Sequence, residues 1–315
     1  MEVHETKKEE VSKNIVNSFV DFLFSDKEEK WLILILLIGV LLRFLVARNI
    51  SALGDEMVHG PHAIGFLHSG LISTLAQSPL WFYLTDIVTR FLNVTLFSVR
   101  FLSFFYGSLS IIIIYLLTSK MFDKKVALIS SFLLSVSFFT IRYTLAEMDL
   151  SAIFFLLLAI YFFLESNEKN KFPFLSAVCL GIASLIKTLS LFFVPAFLIA
   201  FFLFNQSKEK KQIKNNLKKA FIFGIVILLF FSPILLHNYF WYKDKGMVDT
   251  YFAQYFDIGE VRQAYAGQLG YDSGLLSDRF VEGVFTMSNA VFSMDPLIVL
   301  IGIFGIILSF SLKNI

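Results

Sequence analysis

Cysteine is nearly absent: Cys179 is the only one, and it stands inside an apolar run. That excludes an intrachain disulfide framework and a multi-cysteine metal site. Charge is scarce too, with Asp, Glu, Lys and Arg making up 17% of 315 residues and nearly cancelling to +2 at pH 7. There is no G-x-x-x-x-G-K-[ST] phosphate loop, no G-x-G-x-x-G turn after a strand and no G-x-S-x-G elbow. An enzyme driven by ATP or built on a dinucleotide is therefore disfavoured. No polar segment is long enough for a nucleotide-sugar domain, nothing points to nucleic acid, and neither an internal repeat nor a low-complexity tract divides the chain.

What is present is apolar. The chain is 57% hydrophobic with 39 phenylalanines and a mean hydropathy of +0.72, where a soluble domain is typically about 45–50% apolar. A water-soluble core of this size cannot hide that excess, so the composition predicts an all-α, multi-pass membrane protein. The N-terminal "MEVHETKKEEVSKN" is polar without a signal-peptide pattern, so the first apolar run reads as a retained span. Runs of near-spanning length are Trp31–Arg48, Phe97–Ser119, Val126–Ile141, Leu150–Leu164, Phe172–Ile186, Leu189–Phe204, Ala220–Phe240 and Pro296–Phe310. A further run, Ser78–Thr95, carries Asp86, Arg90 and Asn93.

Lysine placement decides how that ninth run is read. Cytoplasmic loops collect Lys and Arg, and the lysine-rich loops are 119–125, 165–171 and 205–219. If Ser78–Thr95 crosses and the N-terminus is inside, all three fall outside. If it lies along the outer interface as an amphipathic helix, all three fall inside together with Lys313. The second arrangement also spares Asp86 and Arg90 the bilayer centre, where each charge costs at least ~2.5 kcal/mol. The expected organisation is a cytosolic segment 1–30, a transmembrane domain 31–240 with a first outer loop 49–96, an outer loop or lid 241–295, and a last span with the C-terminus, 296–315. That gives about eight transmembrane helices plus interfacial helices in the first outer loop, both termini cytosolic.

This topology brings Asp55, Glu56, Glu147, Asp149 and Lys187 to one outer surface. Asp55-Glu56 follows Gly54, whose freedom allows a sharp reversal, and His59, His62 and His68 come close behind. Two solvated loop carboxylates are the plain alternative. Against it stand the His/Gly/Pro-rich context and the arrival of Glu147 just before another span. A partly desolvated carboxylate there can serve as a general base towards a hydroxyl or amine. Glu56 and His59 form an E-x-x-H step, which in helix bundles holds metal only with a second copy, and none exists. His59 and His62 would share a helical face and suit headgroup or substrate contacts better. Lys187, between two apolar runs, either snorkels or meets a lipid-borne phosphate as a point charge; Arg100 and Arg142 are similar candidates. In 241–295, Trp241, Tyr265 and Tyr271 are candidate sugar-packing aromatics of an outer lid, with an ordinary structured loop as the alternative. The lysine run 208–219 reads as a plain cytosolic loop beside anionic headgroups.

The order of several pieces resembles a known family. They are Arg43 followed by "GDE", "SPLWFYL", "LFSVRFLSFFYGSLSIIIIYLL", "IRYTLAEMDLSAIFFLLLAIYFF", "LGIASLIKTLSLFFVPAFLI" and "SPILLHNYFWYKDKG". Over most of 31–250 the chain resembles the GT-C glycosyltransferases that use polyprenyl-phosphate sugars, of the protein O-mannosyltransferase-like and aminoarabinose-transferase-like kind. The resemblance implies an inverting transfer of a mannose-like hexose or aminosugar from a polyprenyl-phosphate donor to a lipid, glycan or protein acceptor at the extracytoplasmic face of the cell membrane. It implies Asp55 as base or acceptor-positioning group with Glu56 beside it, Glu147 as the second-loop acid with Asp149 as a nearby alternative, and Lys187 near the lipid phosphate. Some relatives use a divalent metal such as Mg or Mn and others none; any such ion here would call on Asp55, Glu147 and His59. Relatives usually carry more spans and often a C-terminal outer domain. Two other classes are weighed alongside: a transporter or flippase of lipid-linked sugars, which would carry charges within spans and Gly/Pro-broken helices in matching halves, and a non-catalytic subunit. Substrate-dependent release of polyprenyl phosphate separates the enzyme from both.

Overall fold

The computed structural model describes residues 27–69, 78–145, 147–169, 171–203, 210–246, 248–249, 252, 285–286, 288–289 and 292–303. Tyr265 and Tyr271 lie outside them. The described residues form helices and no strand: α1 (Lys27–Asn49), α2 (Glu56–Ala63), α3 (Phe66–Ser69), α4 (Leu80–Leu92), α5 (Leu96–Met121), α6 (Lys124–Val136), α7 (Phe138–Arg142), α8 (Asp149–Glu168), α9 (Phe174–Ile186), a 3-10 turn (Thr188–Phe193), α10 (Val194–Leu203) and α11 (Lys210–Lys245). Residues 296–303 are helical as well.

Among the described residues, four helices are long and apolar enough to cross a membrane: Lys30–Asn49, Leu96–Met121, Asp149–Glu168 and Ile213–Asp244. Three of the remaining expected spans are shorter or broken, and of Pro296–Phe310 only 296–303 lie among the described residues. Val126–Ile141 is divided at Ser137 into α6 and α7, and Leu189–Phe204 starts as a 3-10 turn. Phe172–Ile186 becomes α9, 13 residues long, which reaches about 20 Å against about 30 Å of hydrocarbon. Residues 78–95 also contain a helix of only 13 residues, α4. One of its faces, Trp81, Phe82, Thr85, Asp86 and Thr89, is buried, while Ile87, Phe91 and Leu92 are exposed. Short and two-faced, α4 has the form expected of an interfacial helix.

Packing follows membrane logic, in which helices meet through small and hydroxyl side chains and turn large apolar ones outward. On α1 the inward stripe is Ile35, Gly39, Arg43 and Ala47, and the outward one is Leu34, Leu37, Leu41 and Leu45. Ser98, Ser103, Ser110, Ser131, Ser135, Ser151, Ser176 and Ser184 are buried. Several return their hydroxyls to their own helix, as Ser108 does to the Phe104 carbonyl and Ser110 to that of Tyr106.

One charge does lie mid-span. Arg43 is fully buried in α1, and donates to the carbonyls of Gly39, Leu134 and Ser135 and to the Thr140 hydroxyl. Glycines leave it room: a Cβ at Gly39 would stand 2.4 Å from Ile111 and 3.3 Å from the guanidinium, and one at Gly107 2.8 Å from Leu150. Arg43 is therefore wired into the bundle rather than facing a pathway.

Two cores organise the rest. Phe163, Phe197, Phe201 and Phe223 pack together between α8, α9, α10 and α11. Phe66, Trp81, Phe82, Val99, Leu102, Met148 and Ile186 form the other. The second core holds the immediate neighbours of Glu147 and Lys187, so the turns bearing those residues rest on it.

Candidate active site

The first loop turns at Gly54 (φ +59), the left-handed conformation that glycine adopts without steric cost. Asp55 follows as the exposed N-cap of α2, with its backbone carbonyl accepting from Val58 and His59. Glu56 turns inward. It is 2% exposed, and its two oxygens accept from Arg100 Nε at 2.5 Å and Nη2 at 2.6 Å. Arg100 is itself fully buried and also donates to the carbonyls of Ala47 (3.0 Å), Ile50 (2.7 Å) and Ser51 (3.3 Å). The pair thus ties the end of α1 and the start of α2 to the first turn of α5. Glu56 and Arg100, both expected at the site, are thus paired with each other, and Arg100 also holds helix-end carbonyls.

The second loop contributes Glu147. Its backbone is held on both sides, the N–H donating to Leu145 and the carbonyl accepting from the buried Ser103 hydroxyl, each at 2.6 Å. Burial pushes the Glu147 carboxyl up to about 7, and the charges of Asp149 and then Asp55 add to the push, while Lys187 and Arg142 oppose it. Asp149 opens α8 and pairs with the Lys187 ammonium. Lys187 stands in extended backbone between α9 and the 3-10 turn. That turn is pinned by Ser78, whose hydroxyl donates to the Ser184 carbonyl and shares a 2.6 Å hydrogen bond with Thr188.

The histidines divide. His59 is partly buried, its Nδ1 lacks a hydrogen-bond partner, and burial holds the ring below the usual imidazole range, with Lys187 and His62 acting in the same direction and Asp55 and Asp149 against it. His62 is exposed and, like His59, sets an edge against Phe82. His68 meets the Arg90 guanidinium at 2.6 Å. Asp86 accepts from Arg90 and from the backbone N–H groups of Gly65 and Leu67, which fixes α3 onto α4. Trp241 packs on His237.

Asp55, Arg142, Asp149 and Lys187 therefore lie within electrostatic reach of Glu147 at one end of the bundle, and His59 within reach of Asp55, Asp149 and Lys187. Tyr143 joins them: burial raises its phenol first, then Glu147 and Asp149. Tyr143 stood in the sequence beside Arg142, and Ser103 inside an apolar run; no spacing marks either as near a site. Among the described residues no group of three His, Cys, Asp or Glu side chains is placed to hold a metal ion, and a lysine ammonium already occupies the Asp149 carboxylate.

This arrangement can take a proton from an acceptor while cations face a departing anion. A sequence profile described as dolichyl-phosphate-mannose-protein mannosyltransferase matches residues 76–237, just over half of the chain. The chain belongs to this family. Arg100, Arg142, Glu147, Asp149 and Lys187 lie inside the mannosyltransferase match; Asp55, Glu56, His59 and His62 precede it. No curated protein sequence matches the chain. Among solved structures, the apo oligosaccharyltransferase of Archaeoglobus fulgidus aligns with a TM-score of 0.57 at 19% identity, over 69% of this chain and 30% of that one. The archaeal oligosaccharyltransferase AglB of the same organism, in complex with an inhibitory peptide and a dolichol-phosphate, aligns with a TM-score of 0.53 at 16% identity, over 88% of this chain and 39% of that one. The chain thus spans well under half the length of these structures and shares their GT-C transmembrane fold.

Proposed function

We propose that this protein moves a mannose-like sugar from a polyprenyl-phosphate donor to a hydroxyl acceptor, a protein side chain by the family's description, at the extracytoplasmic surface. The observation that carries this reading is the gathering of Asp55, Glu147, Asp149 and Lys187 at one end of a membrane bundle. The acceptor oxygen attacks the anomeric carbon, and the bond from that carbon to the phosphate oxygen breaks. Both electrons leave with the lipid phosphate, and the acceptor proton passes to a carboxylate. Asp55, exposed at the start of α2, is the group that meets the acceptor. Glu147 takes up the proton, and Lys187 with Arg142 receives the phosphate as charge develops on it. Attack opposite the leaving phosphate inverts the anomeric centre.

The direct test is release of polyprenyl phosphate from dolichyl-phosphate mannose by the purified protein with a Ser/Thr-rich peptide; no acceptor-dependent release would overturn the reading. Two measurements then probe the roles. Because Glu147 must be ionised to accept the proton, the rate should rise with pH through about 7, and Glu147→Gln should remove that limb along with most of the turnover. Stability should move the other way. The folded state keeps this proton to about 7 whereas the unfolded chain releases it near 4.5, so the contribution of Glu147 to stability is present at low pH and is lost as pH rises through that window. Lys187→Ala should raise the KM for the donor about tenfold or more, the equivalent of one charge-assisted hydrogen bond of about 1.5–3 kcal/mol. An unchanged KM would remove Lys187 from phosphate binding.

A further inference from the structure

The break between α6 and α7 is closed by two opposite charges from distant parts of the chain. A helix end leaves carbonyls unsatisfied and carries partial negative charge, while a helix start leaves N–H groups and carries partial positive charge. At Ser137 the two meet. On the carbonyl side stands Arg43, donating to Leu134 at 3.0 Å and to Ser135 at 3.1 Å. On the N–H side stands Asp295, which accepts from the backbone of Phe138 at 2.8 Å and Phe139 at 2.9 Å and from the Ser137 hydroxyl at 2.6 Å. Thr140 links the two halves, accepting from Arg43 and donating back to the α6 end. Asp295 is set firmly enough to act this way. Its own carbonyl receives the Val299 N–H of the last described helical stretch, and Pro296 occupies the first helical position, which favours that residue.

The helix that this clasp aims is α7. It ends at Arg142, whose guanidinium also touches the Met294 sulfur at 3.9 Å, and five residues later comes Glu147. We propose that Asp295, together with Arg43, is a positioning residue that sets Arg142 and Glu147 for transfer. This rests on the transferase reading above. The groups facing that loop are Asp55 from the first loop, Asp149 from α8, Lys187 from the turn after α9, and Tyr143 within the loop itself.

The test uses the full chain in lipid nanodiscs with dolichyl-phosphate mannose and the Ser/Thr-rich peptide. Asp295→Ala is expected to lower kcat about 10²-fold through misplacement of the reacting groups, with the protein still folded at the assay temperature. Asp295→Asn, which keeps an acceptor oxygen for the α7 N–H groups, should restore most of the loss, and Ser137→Ala should show part of it. Wild-type kcat in Asp295→Ala, or Asn behaving like Ala, would overturn the proposal. A second measurement needs no turnover. A cysteine introduced by Arg142→Cys in a Cys179→Ala background should change its maleimide labelling rate several-fold when Asp295→Ala is added. An unchanged rate refutes the clasp even if the enzyme reading stands; a changed rate with no transferase activity in the parent refutes the enzyme reading and keeps the clasp.

Discussion

Asp55→Asn should leave the protein inserted and folded and lower turnover by about 10²-fold, the cost of misplacing the acceptor. The fold has little to lose there. Asp55 is exposed, its side chain makes no cap hydrogen bond to α2, and the local bonds at that corner run to its backbone carbonyl. Asparagine keeps the size and the N-cap preference and removes the charge that holds the acceptor. The measurement is release of polyprenyl phosphate set beside a melting curve. Full turnover with an unchanged melting temperature would strike Asp55 from the mechanism. A fall in both would place it among the structural residues instead.

Glu56→Gln is expected to do the reverse. Glu56 and Arg100 are 2% and 0% exposed side by side, and removing one partner of a buried ion pair typically costs about 3–5 kcal/mol because the other charge is left uncompensated. Here the stranded group would be a guanidinium holding the end of α1, so the first loop should loosen and turnover should fall as a consequence of lost structure. Thermal melting in a fixed detergent reads this directly. Replacing both residues together, Glu56→Leu with Arg100→Met, should recover much of the stability, since a well-packed apolar pair of similar volume removes the stranded charge. If Glu56→Gln melts like the parent yet fails to turn over, Glu56 belongs to the chemistry after all. Asp55 and Glu56 are adjacent in sequence, and these two outcomes separate them.

Much of this site was legible from the chain. Long apolar runs announced α1, α5, α8 and α11, because an uninterrupted run of that length has few other soluble explanations. Polar residues at the ends of runs placed Asp55, Glu147, Asp149 and Lys187 at one surface, and the structure groups them there. Three things were not legible. The division of Val126–Ile141 at Ser137 leaves no glycine or proline mark, because it is stabilised from 43 and 295 instead of locally. Helix length did not follow from hydropathy, which counts the 13-residue α9 as it counts longer helices. And Glu56 looked like Asp55, since sequence shows two neighbouring carboxylates and only helical geometry, turning about 100° per residue at 3.6 residues per turn, sends one inward.

The serine hydroxyls that fold back onto their own carbonyls have a consequence for how the bundle coheres. A hydroxyl spent within one helix binds nothing across the gap to the next, so neighbouring helices adhere there through the closeness that small side chains permit. Adhesion of that kind is a competition between two solvents, the partner helix and the surrounding chains, which offer nearly the same dispersion forces. Each helix keeps its own backbone bonds whichever of them wins. Bilayer or detergent composition therefore acts on the spacing between helices more than on their existence, and the carboxylates at the end of the bundle, each borne by a different element, are the first to register a change in that spacing.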